Sequence, residues 1–257
     1  MTDWSDFTAE LDRWATAGLP ATFWWRDDDA VDVSPALERL LALTHARTAP
    51  LALAVIPADA RPALAQRMAG EPAAHVVQHG FSHRNHAAPG RPKAELGAER
   101  APGLVLGELT RGALALDRLF GTAWLRVLVP PHNRIAKTLA AALPQAGYVG
   151  ISTFGRKTRD VPGLAWINTH IDIMNWTTTR GFVGEDAALG AVVGELVRRR
   201  DATGDSGGDS GGDTPTGLLT HHLVHDEAAW RFLDRFLAAI ASHPAARVVD
   251  PRRLFAA

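Results

Sequence analysis

The chain has 257 residues, of which 46% are hydrophobic, and its formal net charge at pH 7 is −1. This apolar fraction allows a full hydrophobic core, and a near-neutral balance without a basic concentration argues against nucleic acid as the natural partner. The lack of cysteine excludes disulfides, thiolate metal sites and cysteine nucleophiles. The acidic, polar N-terminus does not resemble a signal peptide, and no apolar run approaches the roughly 20 residues of a membrane span. We therefore expect a soluble cytoplasmic protein.

Strand-like and helix-like segments alternate along the sequence with short connections. An amphipathic helix is expected at 6–17, and another begins after Ser34, a helix-capping residue that Pro35 follows. Such alternation predicts parallel strands covered by helices, here a deformed or incomplete barrel of the (β/α)7 type. Further helices are expected at 60–69, 104–120, 136–146, 187–200 and 227–241, and strands at 21–25, 51–56, 75–78, 125–129, 148–152, 164–171, 218–223 and 247–249.

One segment interrupts this order. Residues 201–217 form a tract of Gly, Ser and Asp with a near-repeat, a composition that cannot build a packed core. Because the tract lies between a predicted helix and a predicted strand, we interpret it as a flexible insertion. The expected organisation is a single domain that spans 1–257.

Polar residues occur at the C-terminal ends of the predicted strands. In a β/α barrel these ends share one face, and that face carries the chemistry. Residues that are distant in the sequence are therefore expected to converge there. The strand-end residues are Asp27, Asp28, Asp29, His79, His83, Pro131, His132, Asp172, His221 and His222.

The segment Gln78-His79-Gly80-Phe81-Ser82-His83 carries two histidines four residues apart, directly after a predicted strand. Two imidazoles and one carboxylate from the Asp27–Asp29 triplet provide the ligands for a single divalent metal. This donor set suits zinc, and also nickel, cobalt or ferrous iron. Taken alone, three consecutive aspartates are usually a solvated turn, so the hypothesis depends on the shared position at strand ends.

The order of these motifs resembles the polysaccharide deacetylase family (NodB-like, carbohydrate esterase family 4). The resemblance covers about residues 20–225. The His-x-x-x-His loop after a strand is the most specific match, and the later motifs are looser. The matching segments are Arg26-Asp27-Asp28-Asp29, Gln78 to His83, Val129-Pro130-Pro131-His132-Asn133, Asp172 to Trp176, and Leu219-Thr220-His221-His222.

The resemblance implies a metal-dependent hydrolase that removes an acetyl group from the amide nitrogen of an amino sugar or a related small amide. Carried over by position, Asp27 is the general base and His221 is the general acid. Asp28, His79 and His83 are then the metal ligands, and a water on the metal is the nucleophile. The supporting or substrate-binding residues are Asp29, Pro131, His132, Asp172, Trp176 and His222, with Asp172 expected to orient His221.

Three positions depart from the family pattern. Asp29 stands where the family has Gly, so the aspartate register is either 27/28 or 28/29. Val129 stands where an Arg normally orients the catalytic aspartate, and Arg26 or Arg134 are the candidates to replace it. Asn133 replaces Gly after the proline pair. These departures indicate a divergent member.

Other functions remain open at this stage. A non-catalytic or weakly active carbohydrate-binding or regulatory protein is compatible with the missing Arg. A ferrous oxygenase uses the same ligand set, although the strand–helix alternation opposes it. A different metal hydrolase, such as a phosphoesterase, lacks a Gly-rich phosphate cradle here. The expected partner is a small-molecule or carbohydrate substrate, and the oligomeric state is left open.

Overall fold

The computed structural model describes residues 1–204 and 214–256. Helices and parallel strands alternate along the chain, as the sequence predicts. The helices are α1 (Trp4–Thr16), α2 (Pro35–Arg47), α3 (Pro62–Met68), α4 (Pro102–Phe120), α5 (Lys137–Ala142), α6 (Glu185–Gly204), α7 (Glu227–Ser242) and α8 (Pro251–Leu254). The strands are β1 (Ala21–Ala30), β2 (Leu51–Val55), β3 (Ala74–His79), β4 (Val127–Val129), β5 (Gly150–Ile151), β6 (Ala165–Trp166), β7 (Ile171–Asp172), β8 (Thr216–Thr220) and β9 (Ala246–Val248).

The strands form one curled sheet in the order β6-β5-β4-β3-β2-β1-β8-β7, and β9 pairs with the start of β1. Every pairing between these strands is parallel. The fold is therefore an incomplete (β/α) barrel with helices on its outer side, which confirms the predicted fold class. Because the strands are parallel, their C-terminal ends lie on one face of the barrel.

Alternate residues of β1, β2 and β3 pack in two different hydrophobic clusters. In β1, Trp25 packs in the large cluster between the sheet and the helices, whereas Trp24 belongs to a separate cluster inside the barrel. Successive side chains of a strand normally point to opposite faces. This alternation determines which aspartates of β1 can reach the pocket. The interior cluster consists of Trp24, Ala52, Ala54, Val77, Val127, Val129, Ile167 and Phe255.

Several boundaries differ from the sequence-based expectations. The first strand was expected at 21–25 but continues to Ala30, so the aspartate triplet lies within β1 rather than after it. The expected strand 164–171 is two short strands, β6 and β7. Of the predicted insertion 201–217, residues 205–213 lie outside the described residues, and its two ends belong to α6 and β8. None of the described helices is long and apolar enough to span a membrane.

Candidate active site

The alternation of β1 separates the three aspartates. Arg26 and Asp28 share the interior side of the strand with Trp24, whereas Asp27 shares the helix-facing side with Trp25. All of these side chains except that of Asp29 are almost completely buried. A carboxylate on the helix-facing side cannot enter the barrel mouth, so Asp27 does not line the pocket, whereas Asp28 and Asp29 do.

Asp29 reaches the pocket through a local break in the strand. The pairing of β1 with β2 shifts register between Asp27 and Ala30, and Asp29 has φ of 76°. This left-handed conformation is uncommon for a residue other than glycine and reverses the direction in which the side chain leaves the strand. Asp29 is thereby turned from the helix-facing side toward the barrel mouth.

The structure brings Asp29, not Asp28, against the two histidines. Oδ1 of Asp29 lies 3.1 Å from Nε2 of His79 and 3.3 Å from Nε2 of His83. The predicted ligand role of Asp28 does not fit this geometry, because both of its oxygens are bound to Arg26 on the interior side of the strand. The later of the two registers left open by the sequence is the one that the geometry favours.

The donor atoms fit a single divalent cation. Oδ1 of Asp29 is buried and makes no hydrogen bond among the described residues, although two imidazole nitrogens are close to it. Nδ1 of His79 lies 3.0 Å from the carbonyl oxygen of Val129, so that nitrogen donates its proton there and Nε2 keeps a free lone pair. Ligands at zinc-type distances in a tetrahedral site lie about 3.3 Å apart. The two distances from Oδ1 of Asp29 match this spacing, and all three donor atoms lie within 4.8 Å of one another.

A buried glutamate shapes the histidine loop. The carboxylate of Glu95 accepts hydrogen bonds from the backbone N–H of Phe81 at 3.1 Å, and from the backbone N–H and hydroxyl of Ser82 at 2.7 and 3.1 Å. A Cβ at Gly80, which has φ of 54°, would come within 2.5 Å of Pro131 and closer still to Glu95. The loop therefore needs glycine at this position, and Pro131 supports it from the next strand end.

Arg26 holds Asp28 with two parallel hydrogen bonds. Nε of Arg26 donates to Oδ1 of Asp28 and Nη2 donates to Oδ2, each at 2.9 Å. Arg26 is completely buried, and its Nη1 also donates to the hydroxyl of Ser152 at 2.7 Å and to the carbonyl oxygen of Thr153 at 3.3 Å. The side chain thus crosses the barrel interior from β1 to the end of β5. Such a bidentate pair fixes both the position and the orientation of a carboxylate.

One of the departures from the family pattern contacts Arg26. Val129, which occupies the position of the expected Arg, is buried in the interior cluster. Asn133, which replaces Gly, accepts a hydrogen bond from Nη2 of Arg26 at 2.8 Å through Oδ1. Of the two candidates to replace the missing Arg, Arg26 is therefore the one in contact with an aspartate of the triplet, Asp28. Arg134 instead donates to the carbonyl oxygens of Lys93 and His132.

Asp27 and His222 form a buried pair behind the pocket. Oδ1 of Asp27 lies 2.5 Å from Nδ1 of His222, and Oδ2 accepts from the hydroxyl of Thr220 at 2.6 Å and the backbone N–H of His222 at 3.0 Å. Burial acts first to raise the pKa of Asp27, but the charge of His222 and the hydrogen bonds hold it below the ordinary value. These contacts join the end of β1 to the turn His222–Val224 after β8.

His221 points the opposite way from His222 and lines the pocket. Its ring packs edge-on against Trp176, with the ring centroids 4.6 Å apart, and Nδ1 is buried without a hydrogen bond among the described residues. Asp172 also lines the pocket, but its carboxylate accepts from Nε1 of Trp176 at 2.8 Å and from the backbone N–H of Met174 at 2.9 Å. Asp172 therefore contacts His221 through Trp176 rather than directly.

The pocket has a volume of about 1100 Å³ and opens at the C-terminal face of the barrel. The ring of His132 stands edge-on to that of His83, with centroids 4.7 Å apart. Burial, followed by the charges of His83 and Lys93, lowers the pKa of His132 to about 4, so this imidazole is neutral near pH 7. Burial raises the pKa of Asp172, and the charge of His221 acts in the opposite direction.

Sequence reasoning missed one residue that shapes the site and did not single out another. Glu95 lies in a segment read as a loop, and nothing in its sequence neighbourhood marks a buried carboxylate. Arg26 was named only as one of two possible substitutes. Its spacing of two residues from Asp28 was the available signal, because residues i and i+2 of a strand lie on one face.

No protein-family model and no curated protein matches this sequence. Solved structures do match the fold. A protein from Mycobacterium smegmatis that is named as a polysaccharide deacetylase superposes with a TM-score of 0.65 at 15% identity, covering 92% of this chain and 89% of that chain. The Bc1960 peptidoglycan N-acetylglucosamine deacetylase gives 0.56 at 17%, covering 98% and 97%. A family 4 acetyl xylan esterase from Clostridium thermocellum, with a cobalt ion, gives 0.53 at 13%, covering 91% and 90%.

Proposed function

We propose that this chain, which has the fold of the polysaccharide deacetylases, is a metal-dependent hydrolase that removes an acetyl group from the nitrogen of an amino sugar or a related small amide. The observation that carries the proposal is the meeting of Asp29, His79 and His83, next to an Arg-clamped carboxylate, in one pocket. The bound cobalt of the Clostridium thermocellum neighbour supports a divalent metal at such a site. Zinc is the metal we expect, with nickel, cobalt and iron as alternatives.

The proposed ligands are Asp29, His79 and His83. When bound there, a divalent cation supplies a Lewis acid that lowers the pKa of water and polarises a carbonyl oxygen. The protein contributes the orientation of the two imidazoles, through the carbonyl oxygen of Val129 and the loop that Glu95 holds. The resemblance assigned the base to Asp27 and the carboxylate ligand to Asp28. We propose Asp28 as the base and Asp29 as the ligand instead.

Asp28 is the proposed general base. Its carboxylate lines the pocket beside the proposed ligand Asp29, and the bidentate contact with Arg26 prevents it from rotating away. It accepts the proton of the attacking water, a contribution that is typically worth about 10²–10⁴-fold in rate. Asp27 has no comparable access, because it faces the helices and is saturated by His222 and Thr220.

His221 is the proposed general acid. The amide nitrogen leaves as an amine only if it gains a proton. His221 lines the pocket directly after β8, whereas the proposed base and ligands come from β1 and the end of β3. Trp176 packs against its ring and limits its rotation, and Asp172 in turn holds the indole nitrogen of Trp176. Asp172 therefore acts as a positioning residue for His221 through Trp176.

The non-catalytic alternative loses its main support. It depended on the Arg that is missing at Val129, and Arg26 provides the same kind of clamp from β1. A protein that only bound carbohydrate would need neither a clamped carboxylate nor an acid across the pocket from it. The ferrous oxygenase alternative is opposed by the fold, which is a parallel β/α barrel.

Metal analysis of the purified protein, followed by acetate release from a panel of N-acetyl amino sugars, tests the proposal. We expect about one equivalent of bound metal, acetate release that a chelator abolishes, and its recovery with added zinc or cobalt. Asp28→Asn should abolish release. Asp32→Asn is the matched control, because Asp32 is an exposed aspartate that follows β1. Full activity of metal-loaded Asp28→Asn, or no acetate from any N-acetyl sugar with the metal bound, contradicts the proposal.

A further inference from the structure

Three basic side chains line the pocket and have no role in the proposed chemistry. They are Lys93, Arg134 and Arg180, and all three are exposed. Among the described residues none of them forms an ion pair, whereas Arg39 of α2 and Arg67 of α3 each pair with a glutamate. Three unneutralised cations around one cavity are notable in a chain whose formal net charge is −1.

The carboxylates of the pocket are already engaged. Asp28 is neutralised by Arg26, and Asp29 faces the two histidines of the proposed metal site. Asp172 accepts hydrogen bonds from Nε1 of Trp176 and from the backbone N–H of Met174. No pocket carboxylate is therefore left for the three cations, and a divalent metal adds further positive charge.

The cations approach the pocket from two walls. Nη1 of Arg134 donates to the carbonyl oxygen of Lys93 at 3.0 Å, which keeps these two residues adjacent near the end of β4. Arg180 lies in a closed turn after β7, where Met174 pairs with Phe182. Strands β4 and β7 are separated by β3, β2, β1 and β8 in the sheet. A group bound over the metal site would thus meet positive charge on either side.

We propose that the substrate is an N-acyl amino sugar that also carries an anionic group, a carboxylate or a phosphate, which Lys93, Arg134 and Arg180 bind. The inference rests on the proposed function, since it takes this pocket as the substrate site. Guanidinium groups match carboxylate and phosphate oxygens with paired hydrogen bonds. The volume of about 1100 Å³ leaves room for such a substituent beside the reacting amide.

Calorimetric binding to the metal-loaded protein tests this inference. The probes are N-acetylglucosamine, N-acetylglucosamine 6-phosphate and N-acetylmuramic acid, which compare a neutral sugar with a phosphate and a carboxylate. We expect at least one anionic sugar to bind about ten-fold more tightly than the neutral one. The stronger of the two anions identifies the group. The preference should shrink at high salt, because exposed charges are screened.

Variants that remove one positive charge show which residues produce the preference for anionic sugars. Lys93→Gln, Arg134→Gln and Arg180→Gln should each lower the anionic-to-neutral affinity ratio by about two-fold, and Arg180→Lys should retain most of it. The matched control is Arg247→Gln, since Arg247 is an exposed residue of β9 opposite Thr22. Thr22 lies at the far end of β1, about 20 Å from Asp28, so this variant should leave the ratio unchanged.

The outcomes separate this inference from the proposed function. Equal affinity for neutral and anionic sugars overturns the inference, and so does a preference that survives all three Gln substitutions, which would indicate direct binding to the metal. Acetate release from N-acetylglucosamine together with either result leaves the proposed function in place. An anion preference that depends on Arg180, without acetate release from any of the three sugars, overturns the proposed function and retains the anion site.

Discussion

Asp27 and Asp28 are neighbours in the chain, are equally buried and both contact a basic side chain, yet they face opposite sides of the sheet. Asp28 lies on the interior side with Arg26 and lines the pocket. Asp27 lies on the helix-facing side with His222 and has no access to the pocket. A buried carboxylate is therefore not a catalytic residue by virtue of its burial or its pairing. The face of the strand on which it lies decides its role.

The Asp27–His222 pair and the Asp28–Arg26 pair also differ in what they hold in place. Asp27 accepts three hydrogen bonds from Thr220 and His222, which anchor the turn directly after His221. Burial lowers the pKa of His222, but the charge of Asp27 more than offsets this and leaves that pKa raised. The helix-facing pair thus stabilises the scaffold, and the interior pair places a carboxylate in the pocket. Substitutions of equal size on the two faces should give different defects.

The largest effect is expected at Asp29. Asp29→Ala removes the only carboxylate of the three-residue ligand set, so zinc affinity and acetate release should both fall by at least about 10³-fold. Metal content after dialysis measures the first loss, and turnover at saturating zinc measures the second. An Asp29→Ala protein that retains a full equivalent of metal at wild-type affinity would rule out the ligand assignment.

The second-largest effect is expected when the proposed general base, Asp28, is removed. Asp28→Asn should keep its metal and lower kcat by about 10²–10⁴-fold, because an amide cannot accept the proton of water near pH 7. Thermal unfolding serves as the control, since Asn can still accept one hydrogen bond from Arg26. Near-normal kcat in a folded, metal-loaded Asp28→Asn protein would move the base elsewhere.

A smaller effect is expected when only the clamp is altered. Arg26→Lys keeps the charge but loses the two-pronged contact with Asp28 and the contacts with Ser152 and Asn133. We expect kcat to fall by about 10–100-fold, with metal content unchanged. Asn133→Gly removes one contact of Arg26, and a loss of a few-fold at most is expected. If Asn133→Gly lowered kcat as much as Arg26→Lys does, the bidentate contact between Arg26 and Asp28 would not be the cause of the loss.

The smallest catalytic effect is expected on the helix-facing side. Asp27→Asn should lower the free energy of unfolding by about 2–3 kcal/mol, because it breaks a buried charged pair. In the folded protein, metal content should be unchanged and kcat should stay within about three-fold of wild type. Chemical denaturation measures the free energy of unfolding, and acetate release by the same preparation measures kcat. A large loss of kcat with unchanged stability would return the base role to Asp27.

The architecture could be predicted because its signals are local and repeated. Apolar runs, the Ser34-Pro35 helix start and the positions of polar residues at strand ends each report the β/α alternation. The convergence of Asp28, His79, His83, Asp172 and His221 in one pocket follows from that topology. The overall site was therefore predictable as soon as the strands were recognised as parallel.

The exact register was not predictable, because it depends on a bulge. Strict alternation from Asp28 would send Asp29 to the helix-facing side, and only its positive φ turns it into the pocket. Resemblance alone favoured the 27/28 assignment, since Asp29 stands where a glycine is usual. The contact of Arg26 with Asn133 is likewise three-dimensional, because the two residues lie far apart in the sequence.

The most direct test of the account is a comparison of zinc content and acetate release in Asp27→Asn, Asp28→Asn and Asp29→Asn after loading with one equivalent of zinc. The account predicts that the first variant keeps both properties, the second keeps zinc and loses release, and the third loses both. Loss of zinc from Asp28→Asn while Asp29→Asn retains it would contradict the account.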